Sequence, residues 1–292
     1  MDKRDFKFDE PTPEEKSINH AIYLRHMRMN PNNFSFWFPA VVCLRDNGIY
    51  IPKSLIFDIP DDVYIAFFRE RDNDYARINL WLYDIMQRDD VKQYFGGKDI
   101  FVKNGCFSNK FEFGNSCHFL PDDTVKTMTD KVSNLMYLSI MLETKGYFEL
   151  VFREWIEPKP DTPTIYGGMP LRPEIRLFYD FKNKKPLYSV NYWDWDYCHE
   201  AIGRNPEDYE VYEKAYPELD KLLTEHWAKY RQKVFDALAD CDLHVGIWSV
   251  DFILEEERII LIDMALGKDS AYWDEERIKT TDKLFSGYGI LD

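Results

Sequence analysis

Two aspartates, Asp251 and Asp263, flank a short acidic turn in WSVDFILEEERIILIDMALG, and the second follows four apolar residues, Ile259, Ile260, Leu261 and Ile262. Such a run has the composition of a buried strand, where an ionised carboxylate is costly unless something compensates it. A hairpin with its turn centred on Glu257 sets the two aspartates directly opposite each other on one face of two antiparallel strands, with Cβ atoms about 4.5 to 5.5 Å apart. Carboxylates at ~5 Å repel by roughly 3 kcal/mol at an effective dielectric of about 20, so they demand a shared proton, a basic partner or a cation. A one-residue change in the turn removes the pairing, and Asp263 could equally end the strand and cap the next segment.

Other charges favour a site. Lys103 in IFVKN, Arg153 in LVFRE, and Glu174 and Arg176 in PEIRLFYDF stand in strand-like apolar runs, where charge is normally excluded. Each alone fits a solvent-exposed side chain, because Lys and Arg snorkel. Three cations and two paired acids on successive strands suit a polyphosphate with its magnesium, oxygen ligands holding the metal and Lys and Arg the phosphates. Other nucleotide and hydrolase signatures are missing: there is no GxxxxGK[ST] loop, GxGxxG turn, HExxH pair or GxSxG elbow, and His199-Glu200 lacks a second His.

The elements that must position these charges can be read from periodicity. Ile100 and Val102 share one face of a strand and Phe101 and Lys103 the other, just before an Asn104-Gly105 turn. Residues 128–145 carry helical spacing closed by Gly146, and FELVFREWIEP comes next as a strand. PEIRLFYDF alternates, with Ile175, Leu177 and Tyr179 opposite Glu174, Arg176, Phe178 and Asp180. Leu219, Leu223, Trp227, Tyr230, Val234 and Leu238 mark a long amphipathic helix entered through Pro217. Residues 1–20 resemble a wrapping arm, and FSFWFPAVVCLRDNGIYIPKSLIFDIP reads as short β-like runs broken by turns. In YSVNYWDWDY, Trp193, Trp195 and Tyr197 either stack on a ligand, with Asp194 and Asp196 as polar partners, or pack a sheet face, which is the commoner use of aromatics.

The 292 residues are 45% hydrophobic and 16% aromatic, with aromatics from Phe6 to Tyr288, which describes a folded chain. A net charge of −15 repels phosphate backbones and anionic membranes, so non-specific nucleic-acid binding is not expected. With no signal-like or membrane-spanning apolar run, the protein is expected to stay in the cytoplasm. Cys43, Cys106, Cys117, Cys198 and Cys241 show neither CxxC spacing nor a Cys/His knuckle, arguing against a disulfide framework or structural zinc.

The order FVKNGCFSNKF, LVFREWIEP, PEIRLFYDF, WSVDFILEEERIILIDMALG, over roughly residues 95–270, resembles the ATP-grasp superfamily. In particular it is similar to the phage and bacterial clade defined by two arginines and a lysine, related to the eukaryotic cell-division-cycle proteins that assist assembly of a translation initiation factor. The resemblance implies an α+β ATP-grasp fold in which two lobes close over a nucleotide: an N-terminal subdomain (1–94), a small lobe (95–156) and a large lobe (157–292). It implies that Lys103 and Arg153 contact the ATP phosphates, that Glu154, Trp155 and Ile156 form a hinge meeting the adenine, and that Glu157 contacts the ribose. Arg176 would stabilise the transferring phosphate, and Asp251 and Asp263 would hold magnesium (Mg2+). The implied chemistry is a ligase reaction activating a carboxylate, on a small molecule, peptide or protein, as an acyl-phosphate for capture by an amine; the alternative is an ATP-binding assembly protein with a protein partner. One departure bears on the choice. The family usually carries Asn two residues after the second metal carboxylate; here it is Ala265, which removes an oxygen ligand and weakens the case for a second magnesium and for full ligase chemistry. Glu255, Glu256 or Asp269 would be the acid to compensate.

Overall fold

Alternating apolar residues build two sheets, each burying one face against helices and turning its other face toward its neighbour. The computed structural model describes residues 29–69, 72–144, 148–243 and 246–279. Helix α1 (Phe34–Val41) comes first. Its aromatic run favours a strand on propensity and Pro39 disfavours a helix interior, yet Phe34, Trp37 and Val41 recur at helical spacing and all three are fully buried in the large core. The packing of that stripe overrides local preference. Glu149 holds the helix start, accepting hydrogen bonds from the Ser35 amide (3.1 Å) and hydroxyl.

Strand β1 (Ser54–Asp58), helices α2 (Asp61–Arg69), α3 (Asp72–Gln87) and α4 (Asp89–Phe95), strands β2 (Ile100–Asn104) and β3 (His118–Phe119), helix α5 (Val125–Met141) and strand β4 (Glu149–Glu154) make the small lobe. Its antiparallel sheet has the order β1-β4-β2-β3. Phe57, Ile100, Val102, Leu150 and Phe152 face the helices and form one core with Val63, Leu82, Val132 and Leu135. Residues 54–95, grouped by sequence with a subdomain ending at 94, therefore share a sheet and a core with residues 100–154. Thr124 caps α5 by accepting the Thr127 amide hydrogen bond (3.1 Å). The expected cap Gly146, like the arm at residues 1–20, lies outside the described residues.

The large lobe holds the short pair β5 (Thr164–Ile165) and β6 (Met169–Pro170), then β7 (Glu174–Asp180), β8 (Lys185–Asn191), α6 (Trp195–Ile202), α7 (Pro206–Ala239), β9 (Ile247–Leu254), β10 (Ile259–Leu266) and α8 (Glu275–Lys279). Its antiparallel main sheet runs β10-β9-β7-β8. Ile175, Leu177, Trp248, Val250 and Phe252 pack on Leu223, Trp227 and Val234 of α7. Helix α7 starts earlier than Pro217: Asn205 caps it, accepting from the Glu207 amide (3.1 Å), and Pro206 fills the first turn, where a missing N–H costs nothing. Pro217 sits inside the helix, between buried Tyr212 and Leu219. The aromatic segment is split between packing roles. Trp193 is buried, Asp194 caps α6 by accepting from the Tyr197 amide, Trp195 stacks on Tyr212 at 5.4 Å, and the Tyr197 side chain is exposed. Among the described residues no helix is long and apolar enough to cross a membrane.

Phe152 is ringed by Phe57, Phe119 and Phe95 at centroid distances of 5.0, 5.6 and 6.4 Å. Phe152→Ala should therefore cost about 3–5 kcal/mol in urea unfolding, from lost burial and the cavity left behind. A loss under about 1 kcal/mol would mean that the small-lobe core does not depend on this cluster.

Candidate functional site

The hairpin of β9 and β10 turns around Glu256 and Glu257, since Leu254 pairs with Ile259 and the Glu255 amide donates to the Arg258 carbonyl (3.0 Å). That register alone would set Asp263 against Val250 and send its carboxylate into the apolar core. A β-bulge at Ile262 adds one residue, and beyond it Asp263 pairs with Asp251. The opposition anticipated from sequence is present, but a bulge produces it instead of a turn centred on Glu257. The bulge also releases the Ile262 carbonyl, which accepts a hydrogen bond from the buried guanidinium of Arg153 on β4.

The polar face of the large sheet thus presents Glu174 and Arg176 from β7, Asp251 from β9 and Asp263 from β10. Opposite it stand Lys103 and Arg153 from the small lobe. Lys103, only 2% exposed, reaches across with Nζ at 2.6 and 2.8 Å from the Asp263 carboxylate oxygens. Arg176 grips Asp251 through two parallel bonds of 2.8 and 2.7 Å. The fully buried Phe34 ring of α1 lies beneath both small-lobe cations, with Lys103 Nζ at 5.8 Å and the Arg153 guanidinium carbon at 5.1 Å from its centroid. Burial works against ionising Asp263, but Lys103, supported by Arg153, outweighs it and holds the carboxyl below its ordinary range. Burial lowers Arg153 to about 10, with Asp263 opposing.

Residues 154–156 line the same cleft as Arg153 and Asp263, although their side chains are engaged elsewhere. Glu154 accepts from the Tyr50 hydroxyl (2.7 Å) and the Lys53 amide (3.1 Å). The Trp155 indole donates to Glu157 (2.9 Å) and its ring stacks on His118 at 4.5 Å. The Ile156 carbonyl accepts from Arg172. Glu157 is exposed, holds Trp155, and is not among the residues lining the cleft.

Two cleft residues, Lys110 and Arg172, and the neighbouring Tyr192 escaped sequence reasoning. Lys110, the first residue of a 3-10 helix (Lys110–Asn115) after β2, lies 3.8 Å from Glu174 and 3.2 Å from the Tyr192 hydroxyl. Burial disfavours its charge, but Glu174 and Tyr192 more than offset this and its pKa is raised. Tyr192 also faces Arg176, whose guanidinium lies 4.9 Å from the ring centroid. Arg172, just before β7, precedes Glu174 and Arg176 at strand spacing; this alternation was the signal for it, hidden by the intervening Pro173. Lys110, opening a short 3-10 helix of aromatic and polar residues, carried no such pattern.

Magnesium takes one or two protein carboxylates and completes its shell with water and phosphate oxygens. Asp251 and Asp263, opposed on adjacent strands, fit one such ion. A third protein oxygen is lacking: no three His, Cys, Asp or Glu side chains converge among the described residues, and Ala265 faces Ser249, whose hydroxyl is taken up by Ser270 (2.6 Å). Asp269 is held by Asn32 (2.8 Å) and Glu255 by Arg258.

No protein-family model matches the sequence, and no curated protein matches it. Solved structures do. Cdc123 from Schizosaccharomyces pombe aligns over 87% of this chain and 92% of its own at 15% identity, with a TM-score of 0.50. Its C-terminally truncated form aligns over 85% and 90% at 14% identity, again with a TM-score of 0.50. The chain has an ATP-grasp fold. The D-alanine-D-alanine ligase of Helicobacter pylori also matches, at 11% identity over 86% of this chain and 56% of the ligase, with a TM-score of 0.36. Within the ATP-grasp frame the paired acids and cations fall where the two lobes meet.

Burial raises the Glu174 carboxyl from 4.5 to about 7, Lys110 opposing and Asp251 adding to the rise. A carboxyl raised in this way holds its proton more tightly folded than unfolded, so its stabilising contribution is complete below the ordinary range and lost as pH rises through about 7. Between pH 5 and pH 8, wild-type protein should lose stability relative to Glu174→Gln in urea unfolding. A difference that does not change with pH would show that Glu174 titrates as an ordinary carboxyl.

Proposed function

We propose that the cleft binds ATP with magnesium and that the protein is an ATP-dependent ligase of the ATP-grasp type, activating a carboxylate as an acyl-phosphate for capture by an amine or similar nucleophile. The observation that carries this reading is the set of ion pairs between Lys103 and Asp263 and between Arg176 and Asp251. Each joins a cation suited to phosphate with an acid suited to a metal. A triphosphate accompanied by its metal offers both groups a new partner at once, whereas either alone would strand a buried charge.

In this reading Lys103 and Arg153 bind the phosphates from the small lobe, and Arg176 neutralises charge as it shifts toward the transferring phosphate. Asp251 and Asp263 would hold the magnesium, which supplies positive charge on the phosphate oxygens. The backbone of residues 154–156 meets the base, while Met169, Ile253 and Ile262 supply apolar walls that keep water out. The substrate would be a small molecule, peptide or protein bearing a carboxylate.

Two observations support a second reading, an ATP-binding assembly or interaction protein without ligase turnover. Ala265 leaves the metal site short of an oxygen, and the likeness is to Cdc123 over most of both chains. Release of ADP or AMP on supplying small carboxylates and amines favours the ligase; nucleotide binding with no turnover until a macromolecular partner is added favours assembly.

Thermal unfolding with ATP, magnesium and both tests the nucleotide reading itself. At about a hundred times the dissociation constant the pair should add roughly 2.7 kcal/mol, several degrees or less in a chain this long. The shift should need both components and vanish in Asp263→Asn, with Lys103→Ala weakening ATP binding in calorimetry. No shift in the wild type would remove the nucleotide from the cleft.

A further inference from the structure

Cys43 and Cys241 stand 198 residues apart in sequence, yet their sulfurs are 3.8 Å apart. Cys43 sits on the 3-10 helix Val42–Arg45 that continues α1, and Cys241 follows the last turn of α7. Packing fixes this approach. Val41 and Leu44 share one buried core with Ala237, Leu238 and Cys241. Asn47 donates to the Asp240 carboxylate (3.3 Å), and Lys233 donates to the Gly48 carbonyl (3.1 Å). Each thiol has a carbonyl to receive its hydrogen, Ala40 at 3.3 Å for Cys43 and Ala237 at 4.0 Å for Cys241, so neither needs the other as a hydrogen-bond partner. A disulfide bond is about 2.05 Å long, so the sulfurs must close by roughly 1.8 Å, a movement on the scale of side-chain rotation. The two thiols differ in setting, Cys43 being exposed and Cys241 buried.

We propose that Cys43 and Cys241 form a site of reversible oxidation, in which hydrogen peroxide oxidises Cys43 and Cys241 resolves the product to an intramolecular disulfide that fastens α1 to the large lobe. This stands apart from the nucleotide reading. The order of events follows from burial. The thiolate is the species that attacks a peroxide, and burial, with the neighbouring Cys43, pushes the Cys241 thiol well above its ordinary range, so the exposed thiol meets the oxidant first. In the first step the Cys43 sulfur attacks one peroxide oxygen: the S–O bond forms, the O–O bond breaks, and the departing hydroxide takes up the thiol proton as water, leaving a sulfenic acid. In the second the Cys241 sulfur attacks the Cys43 sulfur: the S–S bond forms, the S–O bond breaks, and hydroxide leaves as water with the Cys241 proton. Two thiols have then given two electrons to one peroxide. Helix α1 carries Phe34, the ring beneath Lys103 and Arg153, so the bond ties the support of those two cations to α7. A dithiol reductant reverses it by exchange.

Treatment of the reduced full chain with equimolar hydrogen peroxide tests this. Free thiols counted after denaturation should fall from five to three, and peptide mass spectrometry should find Cys43 joined to Cys241. The unfolding temperature of the oxidised monomer should rise by several degrees, because the bond closes a very long loop in the unfolded chain. Dithiothreitol should reverse all three changes. In Cys241→Ser the Cys43 sulfenic acid has no resolving thiol and should be captured by dimedone, whereas in Cys43→Ser no adduct should form on Cys241. The wild-type measurements decide even where Cys241→Ser does not fold. A thiol count that stays at five, a disulfide between other cysteines, or a dimer linked through Cys43 on a non-reducing gel would each overturn the proposal. So would a dimedone adduct on Cys241, or an oxidised monomer that melts no higher than the reduced one.

Discussion

The contact between Lys103 and Asp263 joins the two halves of the molecule. Lys103 belongs to a strand whose neighbours, Val102 and Asn104, are buried, and its own side chain is almost wholly removed from water. An ammonium in that position is tolerable only with an anion at hydrogen-bond distance, and the anion comes from the other lobe. The same holds for Arg153, whose guanidinium leans on carbonyl oxygens of β10. Each lobe has a core of its own, yet each also has a charged face that its own residues do not neutralise. The lobes are complementary in charge as well as in shape, and the cleft lies along that line of complementarity.

Strand parity explains how the acids come to be there. Side chains alternate across a sheet, so every residue of β10 is committed either to the core under α7 or to the cleft. Ile259 and Leu261 go to the core, and an uninterrupted strand would send Asp263 after them. The extra residue at Ile262 reverses the parity, brings Asp263 round to Asp251, and leaves Met264 to rejoin the core. The carbonyl freed by the bulge is claimed by Arg153, so the irregularity in one lobe is fixed by a cation of the other. A run of apolar residues ending in an acid is what such a strand looks like in sequence.

Much of the candidate site was legible because charge inside an alternating apolar strand is conspicuous. Lys103, Arg153, Arg176, Asp251 and Asp263 stood out for that reason, and their order along the chain carried the likeness to ATP-grasp proteins. The bulge was not legible: the turn around Glu256 and Glu257 and the extra residue at Ile262 are offsetting displacements, so a turn centred on Glu257 gives the right pair by the wrong route. Helix α1 was masked because Pro39 argues locally against a helix and five aromatic or β-branched residues in FSFWFPAV argue for a strand, while the packing of Phe34, Trp37 and Val41 against distant residues decides the matter. Lys110 and Arg172 lie outside the regular strands, where no periodicity distinguishes a cleft residue from a solvated one. The boundary drawn at residue 94 does not coincide with a break in packing, because β1 hydrogen-bonds to β4 from across the sequence.

Holding a nucleotide and turning it over make different demands on such a site. For binding, the cleft must offer cations to phosphates, acids to a metal and apolar walls to a base, and it must do so without leaving charges stranded when the ligand departs. The paired arrangement of Lys103 with Asp263 and Arg176 with Asp251 meets that last demand, since each charge has a partner to return to. For phosphate transfer the metal must also be held in one fixed geometry, which is where additional protein oxygens count. In the proposed site Ala265 offers no side-chain oxygen to tighten that geometry, and the hydroxyl opposite it, on Ser249, is turned to Ser270. In the proposed site, therefore, nucleotide binding depends on the ion pairs and turnover on the metal shell. A chain could keep the first while losing the second, and that separation is what makes a ligase and a nucleotide-dependent assembly protein two uses of one cleft.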